Sequence, residues 1–359
     1  MKQLFKSPDT QARKGRKGWG FWIFPALLLG FLVFFPLFLG LPGEARERIV
    51  FFGDPAVNAT FEKALQEAWE ASFPDLSLGN LEPFPQGASS SVYLSLPSSS
   101  EELFLGVLSL RQLAILLPEA LTLGTPFLFY SSGAVELFFE QSRYWELLRE
   151  RFQEVLPHFL AGPAEGGDFL AVLDSRKALG DPLHLEGTLY GASWEAEAAV
   201  LYGFGAKPLL LPSQEILGAL LQGTLTGCML PLENLESPFW EDFGISLFLS
   251  SGLYDLQFLV LSQKLRERLG EEGLSRLEAV QERANRKVRE DRVAKITGIL
   301  ERFEKKELHV QELSLKEQAP FAVTARTVYR QWLETKISRN WIDLPLQEAQ
   351  DANSMAGGQ

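Results

Sequence analysis

An uncharged stretch of about 26 residues near the amino terminus most constrains what this chain can fold into. From Gly18 to Gly43 the sequence carries no charged side chain. In a helix rising 1.5 Å per residue, roughly 26 residues reach about 39 Å, which exceeds a hydrocarbon layer of about 30 Å. Basic side chains precede this stretch, at Lys2, Lys6, Arg13, Lys14, Arg16 and Lys17. Because basic flanks stay in the cytoplasm, we predict a cytoplasmic segment at 1–18, a transmembrane anchor at 19–42 and an exported body.

A cleaved signal peptide is the alternative interpretation of this stretch. Signal peptides contain a shorter apolar region, of about 7–15 residues, followed by a cleavage site with small residues. The uncharged stretch is longer than this, and no Ala-x-Ala sequence follows it. No cysteine lies near its end, which excludes a lipid anchor at that point. We therefore expect an uncleaved anchor, with the body held at the outer face of the membrane.

The charge balance argues against nucleic acid as a partner. The formal net charge is −12, and the basic residues of the first segment make the remaining chain more negative still. An acidic surface repels phosphate backbones.

Residues that could perform chemistry are sparse. The chain has one cysteine, Cys228, and its histidines, His158, His184 and His309, lack metal-ligand spacing. No nucleophile elbow, phosphate-binding loop or zinc-protease motif is present in the sequence. The acidic pair Glu195 and Glu197 lies where a solvated helix face is expected. We predict a protein that is not an enzyme and that uses no metal and no cofactor.

The pattern after the anchor is typical of an α/β protein. A short apolar run at Arg48–Gly53 precedes residues with helical spacing, among them Phe61, Leu65 and Trp69, and a strand-like stretch follows near Ser77–Phe84. This order indicates a parallel α/β layer. Further along, we predict a helix over 101–108, a buried strand that runs into a turn over 112–121, and a strand–helix unit over 207–223.

The segment "LEGTLYG…GFGAKPLLLPSQEILGALLQGTLTG", at 185–227, resembles the solute-binding proteins (P subunits) of TRAP transporters, the tripartite ATP-independent periplasmic family. Upstream, "LPEALTLGTPFLF" at 117–129 resembles another motif of that family, and the similarity runs in order from about residue 47 to 335. The matching positions in the main motif are Gly205, Ala206, Pro208, Pro212, Glu215, Ala219, Leu220, Gln222, Gly223 and Gly227.

The resemblance implies a two-lobed α/β fold like that of periplasmic binding proteins, with a ligand bound in the cleft between the lobes. It assigns 46–165 with 247–275 to lobe I, and 166–246 with part of 276–336 to lobe II and a long connecting helix. A polar tail at 337–359 completes the chain. It also implies integral-membrane permease subunits as partners. The uncharged stretch, and not the resemblance, predicts that this chain is anchored in the same bacterial cytoplasmic membrane.

The chain departs from the family at positions that are polar in its relatives. The arginine that binds a ligand carboxylate falls at Gly191, and the expected acidic residue falls at Thr226. The polar pair that often follows is Met229 and Leu230. A buried carboxylate without a partner is strongly disfavoured. We therefore expect an apolar or amphipathic ligand instead of a small dicarboxylate, unless another arginine substitutes.

The predicted ligand-binding set combines aromatic residues with these altered positions. Its members are Trp194, Gly191, Phe127, Phe129, Tyr130, Thr226, Met229, Trp240 and Tyr254. Mostly apolar pockets with few polar groups are usual for small ligands. An alternative hypothesis is that the same fold serves as a sensor or assembly component without transport.

Overall fold

Two β-sheets organise the body of the chain. The computed structural model describes residues 47–53, 55–82, 102–156, 158–167, 170–174, 185, 187–237, 240, 246–250 and 252–357. The strands are β1 (Glu47–Phe52), β2 (Leu76–Glu82), β3 (Phe104–Ser109), β4 (His158–Gly167), β5 (Leu170–Asp174), β6 (Leu189–Ala192), β7 (Lys207–Leu210), β8 (Gly227–Pro231), β9 (Ser246–Ser250), β10 (Asp255–Ser262) and β11 (Val310–Glu312). The α-helices are α1 (Pro55–Ser72), α2 (Leu110–Leu116), α3 (Ser132–Gln141), α4 (Arg143–Val155), α5 (Glu195–Gly203), α6 (Ser213–Leu221), α7 (Gln263–Lys305), α8 (Leu315–Leu333) and α9 (Arg339–Gly357).

The first sheet has the order β2-β1-β3-β10-β4. β1 pairs in parallel with β2 and β3, whereas β10 runs antiparallel to β3 and β4. One face of the sheet packs against α1 and the first part of α7, through residues such as Trp69 and Val280. The other face packs against α2, α3 and α4, through residues such as Leu113, Phe138 and Leu148. We call this sheet and its helices the first lobe.

The second sheet has the order β11-β9-β5-β8-β6-β7. β6 pairs in parallel with β7 and β8, so the carboxyl ends of these strands lie at one edge of the sheet. α5 and α8 cover one face, where Val200 and Ala325 are buried together. α6 and the last part of α7 cover the other, through Ile216, Ile299 and Phe303. We call this sheet and its helices the second lobe, and α7 therefore contacts both lobes.

The carboxyl-terminal helices bridge the lobes. α8 packs on α5 in the second lobe, and α9 packs on α3, α4 and the 3-10 helix Pro118–Gly124 in the first. The α9 carboxylate of Glu348 accepts hydrogen bonds from the hydroxyl and backbone groups that begin α4, at Ser142, Arg143 and Tyr144. The sequence predicts a polar tail over 337–359, whereas the structure has a helix at Arg339–Gly357 whose Ile342, Ala349 and Ala352 are buried.

Two element predictions near residue 110 are wrong. Residues predicted as a helix at 101–108 contain β3, and those predicted as a strand at 112–121 lie in α2 and the following 3-10 helix. Short apolar runs do not distinguish a buried strand from a buried helix by periodicity. A capping box favours a helix that begins after Ser109. The Ser109 side chain accepts a hydrogen bond from the Gln112 backbone N–H, and the Gln112 side chain accepts one from the Ser109 backbone N–H.

The predicted cytoplasmic segment at 1–18 and the predicted anchor at 19–42 lie outside the described residues. Within the described part of the chain, no helix combines the length and apolar character needed to span a membrane.

Candidate functional site

The carboxyl ends of β3 and β6 lie on either side of a junction between the lobes. β3 ends at Ser109, and α2 begins directly after it with Arg111 in its first turn. β6 ends at Ala192, and Ser193 and Trp194 follow before α5 begins. In open α/β sheets, ligands bind outside the carboxyl ends of parallel strands. This junction is therefore the natural place for a ligand site in the fold.

A salt bridge joins the two lobes at this junction. Nη2 of Arg111, from the first lobe, lies 2.6 Å from Oε1 of Glu197, from the second. The Glu197 side chain is 2% exposed and that of Arg111 is 41% exposed. The other carboxylate oxygen of Glu197 accepts from the backbone N–H of Ser193 at 2.6 Å and from its hydroxyl at 2.8 Å. The buried carboxylate thus receives three hydrogen bonds, one of them from the opposite lobe.

The Trp194 side chain fills space between the lobes. Its ring packs against the hydrophobic clusters of both lobes, and the guanidinium carbon of Arg111 lies 5.0 Å from the ring centroid. Gly124 leaves room for the ring, because a Cβ built there would lie 2.5 Å from Cη2 of Trp194 and 3.1 Å from the Tyr329 hydroxyl. Trp194 therefore occupies part of the junction that a ligand would otherwise fill.

Tyr329 adds a neutral contact beside this ring. Its hydroxyl donates to the backbone carbonyl of Leu121, which links α8 to the first lobe at 3.0 Å. Burial raises the pKa of Tyr329, and the nearby Glu195 carboxylate raises it further. The phenol therefore stays protonated and remains a hydrogen-bond donor.

A second contact between the lobes is made by the loop at 125–130. Phe127 has a φ of +57°, which is rare for a residue with a side chain, and its N–H donates to the Gly252 carbonyl at 2.6 Å. Arg326 of α8 donates to the carbonyls of Pro126 and Phe127 and to the hydroxyl of Tyr130. These hydrogen bonds hold the loop in its strained conformation against the second lobe.

The structure distributes the predicted ligand-binding residues over several places. Phe129 and Tyr254 are buried in the first lobe, with ring centroids 6.0 Å apart. Phe127 and Met229 belong to the cluster against which Trp194 packs. Tyr130 is 43% exposed beside Arg326, Thr226 is half-buried next to β8, and Trp240 is buried in a third cluster, against α6.

Gly191 faces the interior of the second lobe. A Cβ built there would lie 2.8 Å from Cδ1 of Leu225 and 3.1 Å from Cγ2 of Ile216. Cys228 is beside the same position, and burial raises the pKa of its thiol to about 12. The nine predicted residues are therefore spread over several clusters, although Phe127 and Met229 belong to the cluster against which Trp194 packs.

Sequence reasoning missed both charged residues of the junction. Glu197 was expected on a solvated helix face, but it is buried, because its carboxylate is neutralised by Arg111 and bound by Ser193. The signal was present in "AEAAVL" at 196–201, where the carboxylate interrupts an otherwise apolar helix face. Arg111 gave no comparable signal, since its partner lies 86 residues further along the chain.

Comparison with known proteins gives a family match over most of the body. Residues 99–336 match the family model described as "Bacterial extracellular solute-binding protein, family 7". None of the curated proteins matches this chain.

Solved structures share the fold at low sequence identity. A TRAP periplasmic solute-binding protein from Ochrobactrum anthropi, with its C-terminus bound in the ligand-binding pocket, has a TM-score of 0.71 and 18% identity over 88% of this chain and 98% of its own. The ectoine-binding protein of the TeaABC TRAP transporter from Halomonas elongata has a TM-score of 0.65 and 18% identity over 85% and 100%. A relative from Sulfurospirillum deleyianum with bound succinate has a TM-score of 0.63 and 17% identity over 85% and 99%. These matches confirm the predicted two-lobed α/β fold.

Proposed function

Because this chain belongs to the bacterial extracellular solute-binding proteins of family 7, we propose that it is a membrane-anchored binding protein of a TRAP-type transporter. The family match and the solved relatives confirm the resemblance that the sequence motifs carry. The ligand and the permease partner of this chain are the further parts that we propose. The body receives an apolar or amphipathic ligand between its lobes, outside the cytoplasm, and delivers it to integral-membrane permease subunits.

The junction of Arg111, Glu197 and Trp194 carries the proposal. It lies at the carboxyl ends of β3 and β6, where a ligand between two α/β lobes is expected. Its largest surface is an indole ring, and its two charges neutralise each other. Such a site favours a ligand that contacts the ring face over a small dicarboxylate, which requires an unpaired cation. Trp194 is the predicted residue we retain for this contact, and Phe127 and Met229 belong to the cluster against which its ring packs.

The lobe boundaries form part of the proposal. β9 pairs with β5 and β11 in the second sheet, whereas β10 pairs with β3 and β4 in the first. We therefore place the boundary between Ser250 and Asp255, instead of at residue 247. The anchor at 19–42 would hold the body near the permease and raise its effective concentration there.

A second function is also tested, because the charged groups of the junction pair with each other. Arg111 and Glu197 hold the lobes together, and Trp194 fills the space between them. A sensor or assembly component that has lost transport would retain such a closed junction.

The two functions differ in whether a small molecule co-purifies with the chain. The experiment is native mass spectrometry of the full chain in nanodiscs, with release and identification of any bound species. Transport predicts a reproducible apolar or amphipathic species whose affinity changes at least about tenfold in Trp194→Ala. The matched control, Tyr202→Ala, removes an exposed aromatic residue from the adjoining α5 and leaves that affinity unchanged. Repeated preparations without any bound species would favour the sensor or assembly role.

A further inference from the structure

A cavity of about 600 Å³ lies between α8 and α9, beside the loop at 125–130. Its walls come from both lobes, because α8 packs on α5 and α9 packs on α3 and α4. Neither Arg111 nor Trp194 is among the residues that line it. The α9 wall also lies beyond residue 336, where the family match ends. The cavity is therefore separate from the junction of the proposed function.

Part of the cavity lining is apolar. Leu128 of the loop, Leu333 of α8, and Ile342 and Leu346 of α9 contribute aliphatic side chains. The first three are at most 5% exposed, which fixes their position in the surrounding cores. Cavities of about 300–1,000 Å³ with apolar walls are usual for small ligands. An aliphatic chain would replace water inside the cavity, next to the small part of these side chains that the cavity leaves open.

Arg326 supplies a charge at the edge of this apolar lining. Its Nε and Nη2 atoms donate to Pro126, Phe127 and Tyr130, so the guanidinium is held in one orientation. Those hydrogen bonds do not involve Nη1. Among the described residues, no carboxylate forms a salt bridge with Arg326, whereas the neighbouring Arg330 pairs with Asp343 and Glu334. Arg326 therefore presents a half-buried positive charge that no acidic side chain in the described part of the chain neutralises.

We infer that this cavity binds an amphipathic anion, an aliphatic chain that ends in a carboxylate. The chain lies against Leu128, Leu333 and Leu346, and the carboxylate accepts a hydrogen bond from Nη1 of Arg326. A fixed guanidinium binds a carboxylate well because little side-chain freedom is lost on binding. Tyr130, which the sequence placed in the ligand site, lines this cavity as well. The inference does not depend on the identity of the transported ligand.

The test compares three ligands that share one chain length. Hexanoate, hexan-1-ol and hexylamine are titrated calorimetrically into the full chain in nanodiscs, with empty nanodiscs as the blank. Hexanoate should bind, and the alcohol and the amine should bind at least about tenfold more weakly, because only the carboxylate carries a negative charge that pairs with the Arg326 guanidinium. Equal affinity for all three ligands, or no binding of hexanoate, overturns the inference.

Matched substitutions on α8 locate the site. Thr327 is exposed and lines the cavity, whereas Thr324 is exposed on the same helix and does not line it. Thr327→Trp should weaken hexanoate binding at least about tenfold by filling the cavity, while Thr324→Trp should leave it unchanged. Arg326→Gln should remove the preference for the carboxylate over the alcohol. Loss of hexanoate binding in Trp194→Ala with retention in Thr327→Trp would instead place the anion at the junction and overturn the inference.

Discussion

The guanidinium of Arg111 lies 2.6 Å from the carboxylate of Glu197, and the two residues belong to different lobes. The pair is asymmetric, because Glu197 is 2% exposed and Arg111 is 41% exposed. Removal of Arg111 would leave the buried carboxylate of Glu197 without its cationic partner. Removal of Glu197 would leave the guanidinium of Arg111 in a position that water can reach. The two residues therefore differ in what their removal costs.

Arg111→Ala should destabilise the protein more than Glu197→Gln does. We expect Arg111→Ala to lower the free energy of unfolding by about 3–5 kcal/mol, because a buried carboxylate keeps only its Ser193 donors. Glu197→Gln should cost about 1–3 kcal/mol, because the amide still hydrogen-bonds. Urea denaturation measures both. Arg143→Ala, which breaks an exposed salt bridge with Glu146, is the control and should cost at most about 1 kcal/mol. Equal costs for Arg111→Ala and Arg143→Ala would contradict the burial of Glu197.

Gly124→Ala should separate the lobes, because the new Cβ would overlap the Trp194 ring. We expect a loss of about 1–3 kcal/mol, together with faster hydrogen exchange in α2 and α5. In a Trp194→Ala background the same substitution should cost less, because only the 3.1 Å approach to the Tyr329 hydroxyl remains, so the double-mutant cycle should be non-additive. Gly218→Ala is the control, since nothing lies within 4 Å of its Cβ and alanine favours the α6 helix. Additive effects at Gly124 and Trp194 would show that the ring does not occupy this space in solution.

Gly191→Arg should not create a carboxylate site. The side chain would start 2.8 Å from Leu225 and 3.1 Å from Ile216, inside the second lobe. We expect a loss of more than about 3 kcal/mol from burial of an unpaired charge, measured by urea denaturation. Calorimetry with succinate should detect no binding to the folded variant. Tight succinate binding would mean that residue 191 opens onto the junction after all.

Stability should fall as pH rises above about 9, with part of the slope due to Cys228. Burial raises the pKa of this thiol from 9.0 to about 12, so the unfolded chain loses its proton before the folded chain does. The contribution is fully present below pH 9 and is lost progressively up to pH 12, at about 1.4 kcal/mol per pH unit. Between pH 9 and 10, Cys228→Ala should show a flatter dependence of the free energy of unfolding on pH in urea denaturation, because tyrosine titration contributes equally to both proteins. Identical slopes for both proteins would contradict burial of the thiol.

The strand–helix unit of β7 and α6 could be predicted, because the residues that begin and end it are local signals. Gly205 and Gly223 have φ values of +86° and +71°, which side-chain-bearing residues rarely adopt, and Pro212 immediately precedes α6. The region around β3 and α2 could not be predicted as well, because its apolar runs suit either structure. The capping box of Ser109 and Gln112 is the local signal that distinguishes the helix from a strand there.

The candidate site also contains residues with a local sequence signal and residues whose role depends on contacts distant in the sequence. Trp194 could be selected because it follows a strand and precedes a helix. Arg111 could not be selected, because the reason for its position is Glu197, which only the tertiary fold brings near. Glu197 interrupts an apolar helix face and so leaves a local signal, whereas nothing in the sequence around Arg111 indicates its partner.

The single cysteine of the chain has a practical consequence for measuring lobe motion. Cys228 is fully buried and holds its proton far above neutral pH, so thiol-reactive dyes should not reach it in the folded protein. A cysteine introduced on the exposed surface of each lobe would therefore accept a fluorophore without removal of the native thiol. Energy transfer between two such dyes would report the distribution of distances between the lobes in single molecules.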